Sequence, residues 1–428
     1  MTCERAEDLQ HAFLSASYLR NMHKRSMLPV MKLGRFFGIS AWSALAFLLA
    51  NMIFAPRIAN AMPEFAQATG LQCSACHTMV PLLNAYGRYV QRTGYAAIER
   101  ASLNKTFPLW IGESVNTDST AGAGTGTPRI DTGNVAVHAI GYLAPDVTYH
   151  IQQWITQGSQ SGGLDTGWVT DNHVFSSDVH LFIGKILNPA PSPYSQSADI
   201  DGPMASNTLV GEHDWAATYG NRWGTRLAYV GKSLDLEAGY YLSGSDLNGL
   251  TNFDPGDKTF QWKIAYARAQ SPLEIGIFGS NGSIPVSSGL NRYASQAAYV
   301  QVDPGKNYRP GALLVYQRQS DTNPGFDING NPYGAAASLG WSAELSESLF
   351  AGNALLSFRH DLNNAGITGG VTSGNAINLA FNIPIPKFPY LHGYIESKLG
   401  SNSSLTGASG GPQWKGMLWL TVPLVLHP

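Results

Sequence analysis

"NVAVHAIGYLAPDVTYHIQQWI", residues 134–155, alternates on both sides of a tight turn. Val135, Val137, Ala139, Gly141 and Leu143 share one face, and Ala136, His138, Ile140 and Tyr142 share the other. After Ala144-Pro145-Asp146, Val147, Tyr149, Ile151 and Ile155 alternate with Thr148, His150, Gln152 and Trp154. A period of two places successive side chains on opposite faces of a strand. The pattern recurs in "GTRLAYVGKSLDLEAGYYLSG" (224–244), in "FQWKIAYARAQSPLEIGIFG" (260–279) and in "WKGMLWLTVPL" (414–424). One such segment is a weak signal, but the same segment in series is an architecture.

A soluble sandwich and a membrane barrel both use alternating strands, and connection lengths separate them. Short links fall at 144–146, 231–233, 269–272, 304–309, 346–347 and 386–389. Long Gly/Ser/Asn/Asp-rich links fall at 117–133, 157–170, 244–258, 282–291, 321–332, 361–374 and 400–412. Short turns on the periplasmic side and long loops outside characterise outer-membrane barrels, which have an even number of strands. The spacing predicts about sixteen antiparallel strands over 101–428. One link, 188–206, is expected on the periplasmic side yet is long. No apolar run after residue 100 reaches the ~20 residues of a transmembrane helix.

Composition agrees. Of 428 residues only 13% are charged, 27 basic against 29 acidic, which leaves no basis for a nucleic-acid partner. There are 46 glycines, and aromatics make up 11%. No hydrolytic triad or phosphate-binding loop is evident.

Ahead of the barrel stands "LQCSACHTM", residues 71–79. C-x-x-C-H is the attachment pattern of a c-type haem: two thiols add to the porphyrin vinyls and the adjacent imidazole reaches the iron. Zinc would need two more ligands at workable spacing, and the next histidine is His138. A C-x-x-C redox site would want a βαβ context, and a structural disulfide leaves His77 unexplained. The expected cofactor is one covalent haem c on Cys73, Cys76 and His77. Such attachment requires export. Lys32 and Arg35 precede an apolar run from Phe36 to Ala55, and Ala59-Asn60-Ala61 offers a cleavage site, with a retained anchor as the alternative. The reading is therefore an upstream extension over 1–30, a signal peptide over 31–61 and a haem segment over 62–100. If the chain starts at Met31, Cys3 is not part of the protein.

Within the haem segment, Pro81 suits a first helical turn. Leu82, Tyr86 and Tyr89, with Leu83, Gly87 and Val90, form apolar stripes, and Gly94 suits a C-terminal stop. One short helix is too small to cover a porphyrin, which leaves the barrel wall to do so.

The whole stretch resembles the amino-terminal signature of the fused monohaem c-type cytochrome–porins, the outer-membrane iron-oxidase cytochromes of Fe(II)-oxidising bacteria. The matching residues are Pro63, Phe65, Ala66, Thr69-Gly70, Cys73, Cys76-His77-Thr78, Pro81, Leu83-Asn84, Gly87-Arg88 and Gly94-Tyr95. The resemblance implies an outer-membrane electron conduit. Its haem segment would sit at or within the barrel and pass electrons from extracellular Fe(II) to a periplasmic c-type cytochrome. It also implies that Cys73 and Cys76 bind haem and that His77 is the proximal ligand. The chain departs from the outer-membrane pattern in ending "LVLHP" rather than on an aromatic residue. Pro423 also removes a ladder donor from the last strand.

Candidates for the sixth iron ligand are Met204, His138 and His150, since Met79 is too close to His77 to reach the opposite face. Arg88 and Arg92, one helical turn apart, are candidates for the haem propionates, with solvated helix charges as the alternative. Two further functions stay open: a porin with a haem-bearing plug or sensor, and a conduit working outward.

Overall fold

The computed structural model describes residues 65, 69, 71, 73–79, 82–103, 109–118, 129–157, 160–187, 191, 221–242, 258–305, 309–325, 331–332, 334–350, 353–365, 370–384, 391–400 and 412–423. The expected extension 1–30, signal peptide 31–61 and Met204 lie outside the described residues.

Antiparallel strands close on themselves. The first are β1 (Leu109–Asp118), β2 (Arg129–Ala144) and β3 (Val147–Gln157). Gln160–Ser161 and Leu164–Asp171 both pair with β3 and form the two parts of β4, joined in register through Gly162-Gly163, with a bulge at Asp165. Next come β5 (Val179–Ile186), β6 (Arg222–Val230), β7 (Leu234–Tyr241), β8 (Lys258–Ala267) and β9 (Leu273–Val286). Then follow β10 (Gly289–Val302), β11 (Gly311–Asp321), β12 (Ala336–Leu349) and β13 (Ala354–Ala365). The ring ends with β14 (Gly370–Pro384), β15 (Leu391–Gly400) and β16 (Pro412–Pro423). Seventeen segments close the ring, and because β4 holds two of them the barrel has sixteen staves. β16 pairs with β15 and also with β1, where Pro423 meets Trp110 at the last rung. The proline therefore ends the closing strand without interrupting it.

Burial is inverted relative to a soluble protein. Along β7, Leu234, Leu236, Ala238 and Tyr240 are exposed, while Asp235, Glu237, Gly239 and Tyr241 are buried. Leu236 is 37% exposed and its neighbour Glu237 only 5%. Leu236 pairs with Ile264 and Ile264 with Ile277, so the apolar belt runs unbroken across β7, β8 and β9 on the outer face. An apolar exterior and a polar lumen on alternate residues suit a bilayer. No helix among the described residues is long and apolar enough to cross a membrane; the strands cross it.

Links at 145–146, 172–178, 231–233, 268–272, 303–310, 350–353 and 385–390 share one mouth and are all short. The other mouth carries the links 119–128, 187–221, 242–257, 322–335 and 401–411, together with the short links 158–159, 287–288 and 366–369. Three expectations fail here. The presumed loops at 157–170, 282–291 and 361–374 are mostly strand, because Gly- and Ser-rich runs are also compatible with bulged or lumen-facing β-structure. Counting β4 as a strand moves the long link after Ile186 to the long-loop mouth. The side that looked anomalous in sequence is therefore regular. The expected turn at 346–347 lies at 350–353, since Ser346 and Ser348 are buried lumen positions of β12.

Candidate functional site: a plug in the lumen

The chain before β1 packs inside the barrel. A 3-10 turn, Cys73–Ala75, leads into a small hairpin of His77–Met79 and Leu82–Leu83. Helix α1 (Ala85–Arg92) follows, then α2 (Arg100–Leu103). The helix does not begin at the Pro81 turn, because Leu82–Leu83 is extended and Asn84 is the N-cap. Its side chain accepts from Gly87 N at 3.0 Å, the usual capping arrangement. Gly94 ends the helix with φ +55°, as its position suggested, and Tyr95 follows with φ 70°. A tyrosine in that region is strained and persists only where packing over-determines it. Here its ring contacts Phe65 at 5.2 Å, His150 at 5.6 Å and Trp168 at 6.1 Å.

Asn84 also joins the cysteine turn to the helix. Its backbone N–H donates to Cys76 O at 2.8 Å and its side-chain amide donates to Ala75 O at 3.0 Å. Gly87 lies directly over this turn, where an added Cβ would stand 2.1 Å from Cys76 O. Only glycine lets the two backbones approach this closely.

Two kinds of contact hold the plug to the wall. On one side, Val90, Tyr95, Ile98 and Leu103 share a core with inward-facing Ile140, Trp168, Phe182, Ile186, Ala228, Val230 and Tyr241. Thr148 Oγ1 donates to Gly94 O at 2.6 Å, Asn172 donates to Thr148 at 2.9 Å, and His180 pairs with Asn172 at 3.0 Å. On the other side is a buried ionic clasp. Arg88 reaches Glu274 at 3.1 Å and Asp303 at 2.9 Å, and Arg92 reaches Asp235 at 3.3 Å and Glu274 at 3.1 Å. Lys263 bridges Asp235, Glu237 and Glu274, Arg226 pairs with Glu237, and Tyr299 donates to Glu274 at 2.6 Å. Four cations thus face four carboxylates. Burial disfavours the charged form of Arg92, but Glu274 and Asp235 outweigh it, so its pKa stands above the ordinary arginine value.

Arg88 and Arg92, the propionate candidates, both meet wall carboxylates in this structure, and one of these, Asp303, also lines the cavity beside His77. Asp235, Glu237, Lys263 and Glu274 alternate in the sequence as lumen positions. Nothing in one strand's pattern says which plug residue it will meet, so sequence reasoning missed them as partners.

An open cavity of about 250 Å³ lies at the short-turn mouth. Its lining comprises His77, Thr78, Asn84, Ala85, Tyr86, the turn residues Ala269, Gln270, Ser271 and Pro272, and Asp303, Pro304, Gly305 and Arg309. The cysteine turn stands at its edge, with Cys76 half-buried. Met79 is buried against Leu355 and Ala380.

The proposed sixth ligands do not gather here. His138 and His150 are buried lumen residues of β2 and β3, and His150 sits edge-on to Trp168 at 4.3 Å. The turns bordering the His77 cavity belong to β8–β10, at least five staves around the ring. Five staves span roughly 24 Å of wall at about 4.8 Å each. Met204 was expected in a periplasmic link, but that link is anchored by Leu187 and Asn221 at the opposite mouth.

The fold and site define an outer-membrane β-barrel, porin-like in form, with an amino-terminal plug. No protein-family model matches the chain, and no curated protein does. Among solved structures, OmpT, an outer membrane protein of Vibrio cholerae, is similar at 11% identity and a TM-score of 0.49, covering 73% of this chain and 98% of that one. An anion-selective porin from Comamonas acidovorans is similar at 12% identity and a TM-score of 0.48, covering 73% and 98%. Salmonella typhi OmpF, in complex with daunomycin, is similar at 11% and 0.48, covering 73% and 97%. These likenesses concern the fold alone, and the barrel assignment rests on its own strand pairing.

Proposed function

We propose that the protein is an outer-membrane electron conduit whose plug carries one covalent haem c and moves electrons from extracellular Fe(II) to a periplasmic c-type cytochrome. The observation that carries this reading is the position of His77. It follows the cysteine turn, opens on a cavity, and is fastened through Asn84 and Gly87 to a helix that the wall holds by ion pairs. The residues fit the group: a cysteine turn at the cavity edge and an imidazole with open space beside it. Cys73 and Cys76 would hold the haem and His77 would ligate its iron, supplying a single one-electron centre there.

What the chain itself does is position and enclose. The clasp fixes the Cys76–His77 turn at the periplasmic mouth, below an apolar belt ~25 Å tall. A donor outside must therefore descend the lumen, which favours dissolved Fe(II) over a solid surface. The plug itself supports a second reading, a porin with a haem-bearing stopper. In proteoliposomes, external Fe(II) should reduce the haem and an enclosed soluble cytochrome should reoxidise it. A haem that exchanges electrons with neither side would leave the stopper reading in place.

A further inference from the structure

The short-turn mouth is electrically two-sided. On the turns of β2–β5, Asp146, Asp171 and Asp178 are exposed. The plug's exposed Glu99 and Arg100 lie on the same side, Arg100 near enough to act on Tyr142 together with Asp146. On the turns of β6–β11, two of which border the His77 cavity, the exposed charges among the described residues are Lys232, Arg268 and Arg309. Arg309 lines the cavity itself. Asp303 and Glu274 on this side are buried and already paired with Arg88, whereas exposed Asp178 lies beside the β6–β7 turn that carries Lys232. That leaves Arg268 and Arg309 as the cations without an exposed acid on their own turns among the described residues.

We infer that this basic half of the rim is a docking face for a soluble periplasmic protein whose own redox centre is surrounded by acidic residues. The inference rests on the reading of His77 as a haem ligand, since that reading fixes where the partner must approach. The wall turns that border the His77 cavity are those of β8–β9 and β10–β11, so a partner bringing its centre there meets Arg268 and Arg309, with Lys232 one turn further round. Three like charges on one rim act over the ~8 Å screening length at physiological salt. Complementary fields of this kind raise association rates by about 10- to 1,000-fold.

The test uses the full chain in nanodiscs of neutral lipid and two soluble c-type cytochromes, one acidic and one basic around the haem edge. Binding and electron transfer are followed against salt. The acidic probe should bind more tightly, and its affinity should fall as salt rises. Lys232→Glu, Arg268→Glu and Arg309→Glu together should weaken it at least tenfold and strengthen the basic probe. Equal, salt-insensitive binding of both probes overturns the docking face. So does a triple variant that binds like the parent, or one whose effect appears only with anionic lipid. The same binding measured on Cys73→Ala with Cys76→Ala separates the two ideas. Acidic-probe binding without electron transfer in the parent chain would refute the haem reading and keep the face.

Discussion

Arg88 meets Asp303 at two points, with Nη1 2.9 Å from Oδ1 and Nη2 3.1 Å from Oδ2. The pair joins the plug helix to the turn after β10, across 215 residues of sequence. Two parallel charge-assisted bonds fix orientation as well as distance.

Removing Asp303 leaves Arg88 with Glu274 as its remaining carboxylate, so the loss is that of charge-assisted hydrogen bonds, about 1.5–3 kcal/mol. Asp303→Ala should therefore loosen the plug and not the barrel. Trypsin should cleave after Arg88 or Arg92 in the variant, while the heat-dependent gel shift of the folded barrel persists. Cleavage after Arg92, the site both variants keep, should fall again in Arg88→Gln combined with Asp303→Asn. Equal cleavage in the single and double variants would remove the clasp from the account.

Gly87→Ala pushes a methyl into Cys76 O, a backbone atom that cannot swing aside. Overpacking of this kind costs about 1–3 kcal/mol. In planar bilayers the variant should conduct more than the parent chain, through a lumen the plug no longer fits. Unchanged conductance would mean that the turn and helix separate freely.

Thioether bonds survive unfolding, so the parent chain should retain haem through denaturing electrophoresis, at about one per chain. Cys73→Ala with Cys76→Ala should be colourless and keep the barrel's gel shift. His77→Ala should alter the absorption spectrum and potential. A colourless parent band would end the haem reading without touching the fold.

The outer belt predicts a different asymmetry. Ile264 is 47% exposed and lies between Leu236 and Ile277. Ile264→Arg should lower stability in lipid vesicles by about 2–4 kcal/mol, the cost of a charge near the bilayer midplane. Ile264→Val should cost under about 1.5 kcal/mol. Denaturant midpoints measured in vesicles decide the matter, and equal midpoints would place this face away from lipid.

Period-two alternation made the staves legible because each strand obeys it alone, and the count of sixteen survived several misplaced turns. Parity was less robust. A single strand hidden by Gly162-Gly163 sent Met204's link to the wrong mouth. The cysteine turn, the Gly94 stop and the lumen-facing positions of His138 and His150 were readable locally. The commitment of Arg88 and Arg92 was not, because their carboxylates lie more than 140 residues away and only barrel closure brings them together. Long-range pairing of charges leaves no local trace, whereas a cap, a turn or an alternating strand does.

Six peptide steps separate Leu103, at the end of α2, from Leu109, where β1 begins. At no more than about 3.6 Å per step, that leash is roughly 22 Å at full stretch. The plug is consequently a tethered stopper. Freed from the wall, its Leu103 end stays within that leash of the start of β1, short of the ~25 Å apolar belt. The direct way out is therefore the short-turn mouth beside the tether, which delivers the cysteine turn to the periplasm.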